Sequence, residues 1–283
     1  MNSSNDASKA LFSLSGKVVI VTGGTGVLGG TIARGLAEQG AKVVVLGRRE
    51  EKAKEVAEEI ENSGGMAMPL TADVLDRTAL ESARETVLNH WDRIDVLVNA
   101  AGGNVSRATV GDKQSFFDLP KEALGEVFDL NLLGTVLPIQ VFGESMVESK
   151  EPGWAEGSIV NVSSMTAQRP LTGVVGYSAA KAAVENLTRW LATNLARRYG
   201  PGMRVNAVAP GFFLGEQNRA MLVNEDGSLT GRGEKIIEHT PAGRFGEPEE
   251  LVGAVVWLCS PAATFVNGAV IPIDGGFGAF SGV

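Results

Sequence analysis

The sequence predicts a doubly wound α/β fold, a Rossmann-like parallel sheet of about seven strands with helices on both faces. Short apolar runs rich in Val and Ile alternate with segments of helical periodicity, which is typical of strands buried on both faces of a parallel sheet. This regular alternation implies right-handed crossovers. The strand-like runs are 17–22, 41–46, 66–71, 95–100, 158–162, 204–209 and 269–273. Residues 15–283 are expected to form a single domain, after a flexible N-terminal tail of residues 1–14.

Two segments show the apolar spacing of helices most clearly. One lies between the second and third runs, with charges on its other face, and the other covers 177–199. Their apolar positions are Ala53, Val56, Ala57 and Ile60 in the first, and Ala180, Val184, Leu187, Leu191 and Leu195 in the second. Two stretches without periodicity, 103–118 and 211–233, follow the carboxyl ends of strands. Open α/β sheets bind their ligands at that edge.

Composition argues against several classes of protein. A net charge of −8 with 6% aromatic residues gives neither the basic surface nor the stacking platform of a nucleic-acid-binding protein. The single cysteine, Cys259, lies in an apolar run and is predicted to be a buried, inert thiol. Since His90 and His239 are the only histidines, we predict no metal site. The N-terminal segment is polar and no run suggests a membrane span, so we expect a cytoplasmic protein without a membrane partner.

A glycine-rich turn, TGGTGVLGG at 22–30, joins the first strand to a helix. Backbone N–H groups and the helix dipole at such a turn can hold a pyrophosphate. Gly23 and Gly29 would permit the tight turn and the close approach of the helix to the strand. The context therefore favours a dinucleotide site over a turn without a ligand.

The second strand ends in Gly47, Arg48 and Arg49. An NAD-binding protein usually has an acidic residue here, which accepts the ribose 2′-hydroxyl. Two guanidinium groups without a carboxylate suit a 2′-phosphate better. We therefore favour NADP(H) as cofactor, with NAD(H) possible and with solvated arginines as the plainer alternative.

Tyr177 and Lys181 are four residues apart in a predicted helix, so they share a face. A free phenol has a pKa of about 10, and a lysine held close should lower it. The pair would then suit proton exchange with a carbonyl–alcohol couple. Taken alone, such a pair is more often a solvated Tyr and Lys on a surface helix. Ser164, at the end of the strand 158–162, would place a hydroxyl at the same edge and favours the catalytic interpretation.

With these residues in place, the sequence resembles the short-chain dehydrogenase/reductase family from about Leu14 to the C-terminus. The matching motifs are TGGTGVLG (22–29), NAAG (99–102), Asn131 in FDLNLLGT, Ser164, the pair Tyr177 and Lys181, Pro210-Gly211, and Asp274-Gly275-Gly276. The resemblance implies that Tyr177 protonates the carbonyl oxygen, Ser164 orients it, Lys181 binds ribose and tunes Tyr177, and Asn131 anchors a proton relay. The cofactor-binding residues it implies are Gly23, Thr25, Gly26, Val27, Leu28, Arg48, Arg49, Asp73, Val74, Asn99, Ala100, Ala101, Gly102, Tyr177, Lys181, Pro210, Gly211 and Phe212.

Two positions depart from the family pattern. Val27 stands where the second glycine of the turn motif is expected, so the pyrophosphate turn should be arranged differently, with Gly26 as a candidate. Gly215 stands where a threonine often follows the Pro-Gly pair. We expect cofactor binding to survive both changes with altered contacts.

Within the family, the sequence is similar to the D-mannonate oxidoreductase branch, also called fructuronate reductase. The similarity lies in FFDL (116–119), FDLNLLGT (128–135), PGFFLGEQNRAMLVNEDGSLTGR (210–232) and HTPAGRFGEPEEL (239–251). It implies a ketone–alcohol conversion on a sugar acid, D-fructuronate/D-mannonate, by a homotetramer. The candidate substrate residues are Asn104, Met165, Arg169, Gln217, Asn218 and Arg219.

The branch typically has an acid at the end of the second strand, whereas this chain has Gly47-Arg48-Arg49. The enzyme could therefore use NADP(H) with a related acid sugar, or the branch assignment could be loose. A gluconate 5-dehydrogenase type of reductase, a 3-oxoacyl thioester reductase and a non-catalytic nicotinamide sensor stay open as alternatives.

Overall fold

The computed structural model describes residues 10–148 and 155–282, with the backbone alone at 216 and 217. Its centre is a seven-stranded sheet of order β3-β2-β1-β4-β5-β6-β7, in which every pair is parallel. The strands are β1 (Val18–Thr22), β2 (Lys42–Gly47), β3 (Met66–Thr71), β4 (Val96–Asn99), β5 (Glu156–Val162), β6 (Gly202–Pro210) and β7 (Val270–Ile273). The predicted single doubly wound α/β domain is confirmed.

Helices connect the strands on both faces of the sheet. They are α1 (Val27–Glu38), α2 (Glu50–Asn62), α3 (Arg77–Trp91), α4 (Lys121–Phe128), α5 (Gly134–Glu148), α6 (Val175–Tyr199), α7 (Glu216–Leu222), α8 (Gly231–Glu238) and α9 (Val252–Cys259). A π-helical turn (Asp129–Leu133) joins α4 to α5. Short 3-10 segments lie at Ser106–Ala108, Phe116–Asp118, Met165–Ala167, Pro248–Leu251 and Pro261–Ala263.

Alternate residues of each central strand enter two separate cores, as the period of a β-strand requires. Val19 of β1 packs on the α1, α2 and α9 side, whereas its neighbour Ile20 packs on the α3, α5 and α6 side. All of β1 and β4 is buried, which confirms the expected burial on both faces there. The expected burial on both faces is not found in β3, where Met66 is half exposed, because this strand forms the edge of the sheet.

The packed domain begins earlier than the sequence predicted. Leu14 was assigned to the flexible tail, but it is fully buried in the core beneath α1. Its amide also donates a hydrogen bond to the Gln39 carbonyl, 2.9 Å away. The boundary at residue 14 is therefore wrong, because a single apolar residue outside any periodic segment gives no signal in sequence. The part of the predicted tail at residues 1–9 lies outside the described residues.

One helical stretch bears on the expectation that no run suggests a membrane span. Lys121–Glu148 forms 28 continuous helical residues and contains an 18-residue window with a mean hydropathy of 1.3, which would suffice by length and composition alone. In the fold it is a core helix, since Val141 and Phe142 are completely buried against the sheet.

The sheet reverses its strand order at β1, with β2 on one side and β4 on the other. Ligands of doubly wound sheets bind at such a switch point, beyond the carboxyl ends of the strands. The glycine turn after β1, the 99–102 turn after β4 and Ser164 after β5 all lie at this edge.

Candidate active site

Ser164, Tyr177 and Lys181 come together beyond the carboxyl end of β5. Tyr177 and Lys181 lie on α6, and the Lys181 amine is 5.7 Å from the centre of the Tyr177 ring. The Ser164 hydroxyl forms a hydrogen bond with the Tyr177 phenol. Lys181 Nζ donates to the carbonyl oxygen of Val162 at 2.7 Å, which ties the helix to the end of the strand. Ser164 and Tyr177 can therefore act on one oxygen atom, with the Lys181 amine beside the tyrosine ring.

The pKa values of this cluster differ from the expectation. Burial raises the pKa of the Tyr177 phenol and outweighs the hydrogen bond from Ser164, which lowers it. The sequence predicts that Lys181 lowers the pKa of Tyr177, whereas the observed shift comes from burial and from Ser164, and the Lys181 amine donates to the Val162 carbonyl. Burial lowers the pKa of Lys181 itself to about 8. Tyr177 is therefore held in its neutral, proton-donating form.

The buried amine makes a prediction about stability. The unfolded lysine has a pKa of about 10.4, so between pH 8 and 10 the unfolded chain binds more protons than the folded one. The free energy of unfolding should therefore gain up to about 1.4 kcal/mol per pH unit from this group as pH rises through that window. Chemical denaturation of Lys181→Met should lack this gain relative to the unchanged protein. Equal pH slopes in the two proteins would contradict the burial of a titrating amine.

Asn131 lies in the π-helical turn and is completely buried. Its amide nitrogen donates to the Gly103 carbonyl at 2.7 Å and to Val127 at 2.8 Å, and its oxygen accepts from the Gly103 amide at 3.1 Å. A Cβ on Gly102 would lie 2.8 Å from the Asn131 oxygen and 3.1 Å from the Lys181 amine. A glycine at 102 therefore lets the side chains of Asn131 and Lys181 lie close to the turn after β4. Asn131 itself lies in a π-helical turn, and such turns frequently mark functional sites.

Beside this cluster, a cleft of about 510 Å³ opens over the ends of β1, β2 and β4. Many of the predicted cofactor residues line it: Gly23, Thr25, Gly26, Val27, Leu28, Arg48, Arg49, Val74, Ala100, Ala101 and Gly102. Residues not assigned to the cofactor in sequence also line it: Gly29, Gly47, Ala72, Leu130, Phe213, Leu214, Gly215 and Asn218. Phe213 and Leu214 belong to the stretch without periodicity after β6. The position of that stretch at the carboxyl end of a strand was the one signal in the sequence that this loop reaches the site.

The other predicted cofactor residues lie around the cleft and not on its lining. Asp73 accepts a hydrogen bond from the Leu75 amide at 3.0 Å. Asn99 is buried and donates to Asn161 at 2.9 Å. The segment 210–212 pairs with the end of β7 through the Gly211 amide, and the ring of Phe212 contacts that of Phe277.

The glycine turn has the close contacts expected of a phosphate cradle. Gly23 has a φ of +66°, and a Cβ there would lie 2.7 Å from the Ala101 nitrogen. A Cβ on Gly29 would lie 2.2 Å from the Gly23 oxygen. Gly26 is the N-cap of α1, and Val27, the departure from the family motif, is the first helical residue with 38% of its surface exposed. Val27 also lines the cleft, where its side chain lies opposite Gly215, 3.6 Å from the position of a Cβ there.

The end of β2 fits a nucleotide that carries extra negative charge. A Cβ on Gly47 would lie 2.7 Å from the Thr25 hydroxyl, so a carboxylate at that position would require the Thr25 side chain to move. Arg49 donates to the Thr25 carbonyl at 2.6 Å and braces the glycine turn. The Arg48 side chain is 70% exposed at the rim, 3.7 Å from the Asp73 carboxylate. These two arginines suit a dinucleotide that carries an additional phosphate on its ribose.

The predicted substrate residues divide into two groups. Met165 is buried directly after Ser164, and Arg169, on the same loop, donates through Nε to the Gly278 carbonyl at 3.0 Å. Asn104 and Asn218 instead hold loops: Asn104 donates to Thr109, and Asn218 bridges Gly215 and Phe213. Arg219 is exposed on α7, and the side chain of Gln217 lies outside the described residues.

Neither thiol nor metal chemistry is built into the described part of the chain. Burial raises the pKa of the Cys259 thiol to about 12, as its apolar surroundings in α9 require. Across residues 10–148 and 155–282, no group of three or more His, Cys, Asp or Glu side chains could hold a metal ion.

A proton donor of raised pKa beside a dinucleotide-shaped cleft is the arrangement of a nucleotide-dependent oxidoreductase. Comparison with known proteins agrees. The family model described as enoyl-(acyl carrier protein) reductase matches residues 25–278. The chain belongs to the short-chain dehydrogenase/reductase family and is an NAD(P)-dependent oxidoreductase.

Individual relatives cover nearly the whole chain. An uncharacterized oxidoreductase, UxuB, from Bacillus subtilis is 45% identical over 95% of this chain and 98% of its own length. A provisionally assigned D-mannonate oxidoreductase from Haemophilus influenzae, solved with bound NAD, is 41% identical with a TM-score of 0.89, covering 97% of this chain and 99% of that one. A gluconate 5-dehydrogenase from Burkholderia cenocepacia, solved with NADP and tartrate, is 31% identical with a TM-score of 0.84, covering 96% and 99%.

Proposed function

We propose that this enzyme interconverts a ketone and a secondary alcohol on a sugar acid, D-fructuronate/D-mannonate, with NADP(H) preferred over NAD(H). The observation that carries the proposal is the contact of Ser164 with Tyr177, beside a cleft shaped by glycines for a dinucleotide. The similarity to the Haemophilus influenzae protein supports the substrate. A homotetramer in the cytoplasm is the state we expect.

In this mechanism Tyr177 is the acid in reduction and the base in oxidation. Its raised pKa keeps the proton on the phenol until the substrate oxygen gains charge, and Ser164 holds that oxygen through a second hydrogen bond. A nicotinamide cofactor, when bound in the cleft, supplies or accepts the hydride. Lys181 would hold the ribose, and Asn131, which approaches it across Gly102, would anchor the water that returns a proton to Tyr177.

Recognition of a sugar acid needs a cation that can bind the substrate carboxylate. Arg169 lies five residues after Ser164, and the Gly278 carbonyl fixes its Nε. Its guanidinium is therefore oriented by the C-terminal segment, and we propose that its terminal nitrogens bind the substrate carboxylate. Gluconate 5-dehydrogenase activity is the second candidate, favoured by the similarity to the Burkholderia cenocepacia enzyme with its bound tartrate.

A substrate panel tests this function directly. NADPH oxidation is followed with D-fructuronate, 5-keto-D-gluconate and a 3-oxoacyl thioester as separate substrates. We expect the highest kcat/KM for D-fructuronate, and the lowest for the thioester, because a chain of net charge −8 repels an acidic carrier. A higher kcat/KM for 5-keto-D-gluconate would select the second candidate. Cofactor binding without any turnover would favour the nicotinamide sensor.

Cofactor preference is tested at Arg48. Arg48→Ala should weaken NADPH binding by about 10- to 100-fold, because a charge-assisted contact to a phosphate is lost. NADH binding should change little. The matched control is Arg34→Ala, since Arg34 is an arginine of α1 that pairs with Glu59 away from the cleft lining. Equal losses for NADPH and NADH, or a preference of the unchanged enzyme for NADH, would contradict the 2′-phosphate site.

A further inference from the structure

Glu185 is a buried carboxylate that the proposed chemistry does not use. It lies on α6, two turns after Tyr177 and one turn after Lys181, and only 4% of it is exposed. An acidic side chain is almost never buried this completely unless it is paired. The contacts of Glu185 therefore indicate what it is for.

Those contacts are with the two ends of the loop that carries Ser164. The Ser163 hydroxyl donates to Glu185 Oε1 at 3.2 Å, and the Gln168 amide donates to the two carboxylate oxygens at 3.3 and 3.2 Å. Arg189, one turn further along α6, donates to Oε2 at 3.3 Å from a half-exposed position. One carboxylate thus closes the loop between residues 163 and 168 and fastens it to α6.

We infer that Glu185 is a positioning residue of the reaction: its carboxylate holds the Ser164 loop against the helix that carries Tyr177. The inference rests on the proposed pairing of Ser164 with Tyr177. Ser164 follows β5, whereas Tyr177 lies on α6, so their hydrogen bond needs the loop and the helix in one fixed relation. Within the loop, the Thr166 amide donates to the Ser164 hydroxyl at 3.2 Å, but that bond does not reach the helix.

The lysine next to Tyr177 cannot replace this clamp. Lys181 donates to the Val162 carbonyl, at the end of β5 and before the loop begins. The Ser163 hydroxyl also lies 3.4 Å from the Lys181 carbonyl, but this contact is longer than its bond to Glu185. Glu185 alone among these partners reaches Gln168 on the far side of Ser164. Its removal should therefore free the loop while β5 and α6 stay packed.

The chain offers a readout that needs no substrate, because it contains only two tyrosines, Tyr177 and Tyr199. Full-length protein labelled with carbon-13 at tyrosine Cζ gives two signals, which Tyr177→Phe assigns. Ser164→Ala removes the hydrogen bond to the phenol and should shift the Tyr177 signal. Glu185→Leu should shift it in the same direction, and the double variant should add nothing further.

Two variants separate positioning from folding. Glu185→Gln keeps an acceptor for Ser163 but offers an amide to Gln168, so it should shift the signal less than Glu185→Leu. Thr188→Val removes a buried hydrogen bond from Asn161 of β5 to the same helix, 2.9 Å long, without touching the loop. It should lower the melting temperature and leave the Tyr177 signal in place.

In kinetics with D-fructuronate, Glu185→Leu should lower kcat by about 10- to 100-fold, the loss expected of a misplaced catalytic group. NADPH affinity should change by less than about twofold. An unmoved Tyr177 signal in Glu185→Leu, with a clear shift in Ser164→Ala, would overturn this inference alone. An unmoved signal in Ser164→Ala would overturn the pairing of Ser164 and Tyr177, and the inference with it.

Discussion

Tyr177→Phe is expected to lower kcat by about 10²- to 10⁴-fold, the contribution of a positioned general acid. The phenylalanine ring keeps the packing of Tyr177 on α6 but has no proton to give and none to accept. Ser164 would still hold the substrate oxygen, so the KM of the substrate should change less than kcat. NADPH affinity should stay within about twofold, because the cleft lining does not include this phenol. Stopped-flow single turnovers measure the loss directly.

The control for this variant is Tyr199→Phe. Tyr199 is the last residue of the same helix and its ring packs against Arg198, far along the chain from Ser164. The two variants make the same chemical change, so only the position differs. Tyr199→Phe should keep kcat near that of the unchanged enzyme. If Tyr177→Phe also keeps its activity, another group donates the proton and the proposed acid is wrong.

Much of the fold could be predicted because its signals are local. The seven apolar runs became strands within one or two residues at each end, and the spacing of Ala53, Val56, Ala57 and Ile60 placed the buried face of α2. The glycine turn was equally visible, since Gly23 and Gly29 are required by a backbone conformation and a close approach that other residues cannot supply. Where the role of a residue depends on its neighbours in the chain, the sequence pattern was sufficient to predict that role.

The rest depends on contacts between distant segments. The raised pKa of Tyr177 comes from burial of its side chain, which packs against Ala108 and Val127 of distant segments, so adjacency to Lys181 on a helix gave the wrong direction for the shift. Phe213 and Leu214 enter the cleft from a loop whose path has no periodic signal. The sequence predicted no role for Glu185. Its burial is decided by a loop 17 to 22 residues earlier in the chain.

Gly29→Ala is expected to disrupt the phosphate cradle. A Cβ at this position would lie 2.2 Å from the Gly23 oxygen and 2.8 Å from the Gly23 carbonyl carbon. Both are backbone atoms, so no side-chain rotation can relieve the overlap, and α1 must move away from the end of β1. Overpacking of this kind costs about 1–3 kcal/mol in the free energy of unfolding. The displaced helix N-terminus should also lose part of its hold on the pyrophosphate.

We expect Gly29→Ala to weaken NADPH binding at least about tenfold, which equals the loss of one good hydrogen bond to a charged group. Binding is measured by cofactor fluorescence, and stability by chemical denaturation. The matched control is Gly125→Ala in α4, where a Cβ meets nothing within 4 Å. Because alanine is the better helix former by about 1 kcal/mol, this control should be as stable as the unchanged protein or more so, with the same NADPH affinity. If Gly29→Ala bound NADPH as tightly as Gly125→Ala, the pyrophosphate would have to lie elsewhere than on this turn, since its N–H groups cannot keep their positions once α1 has moved.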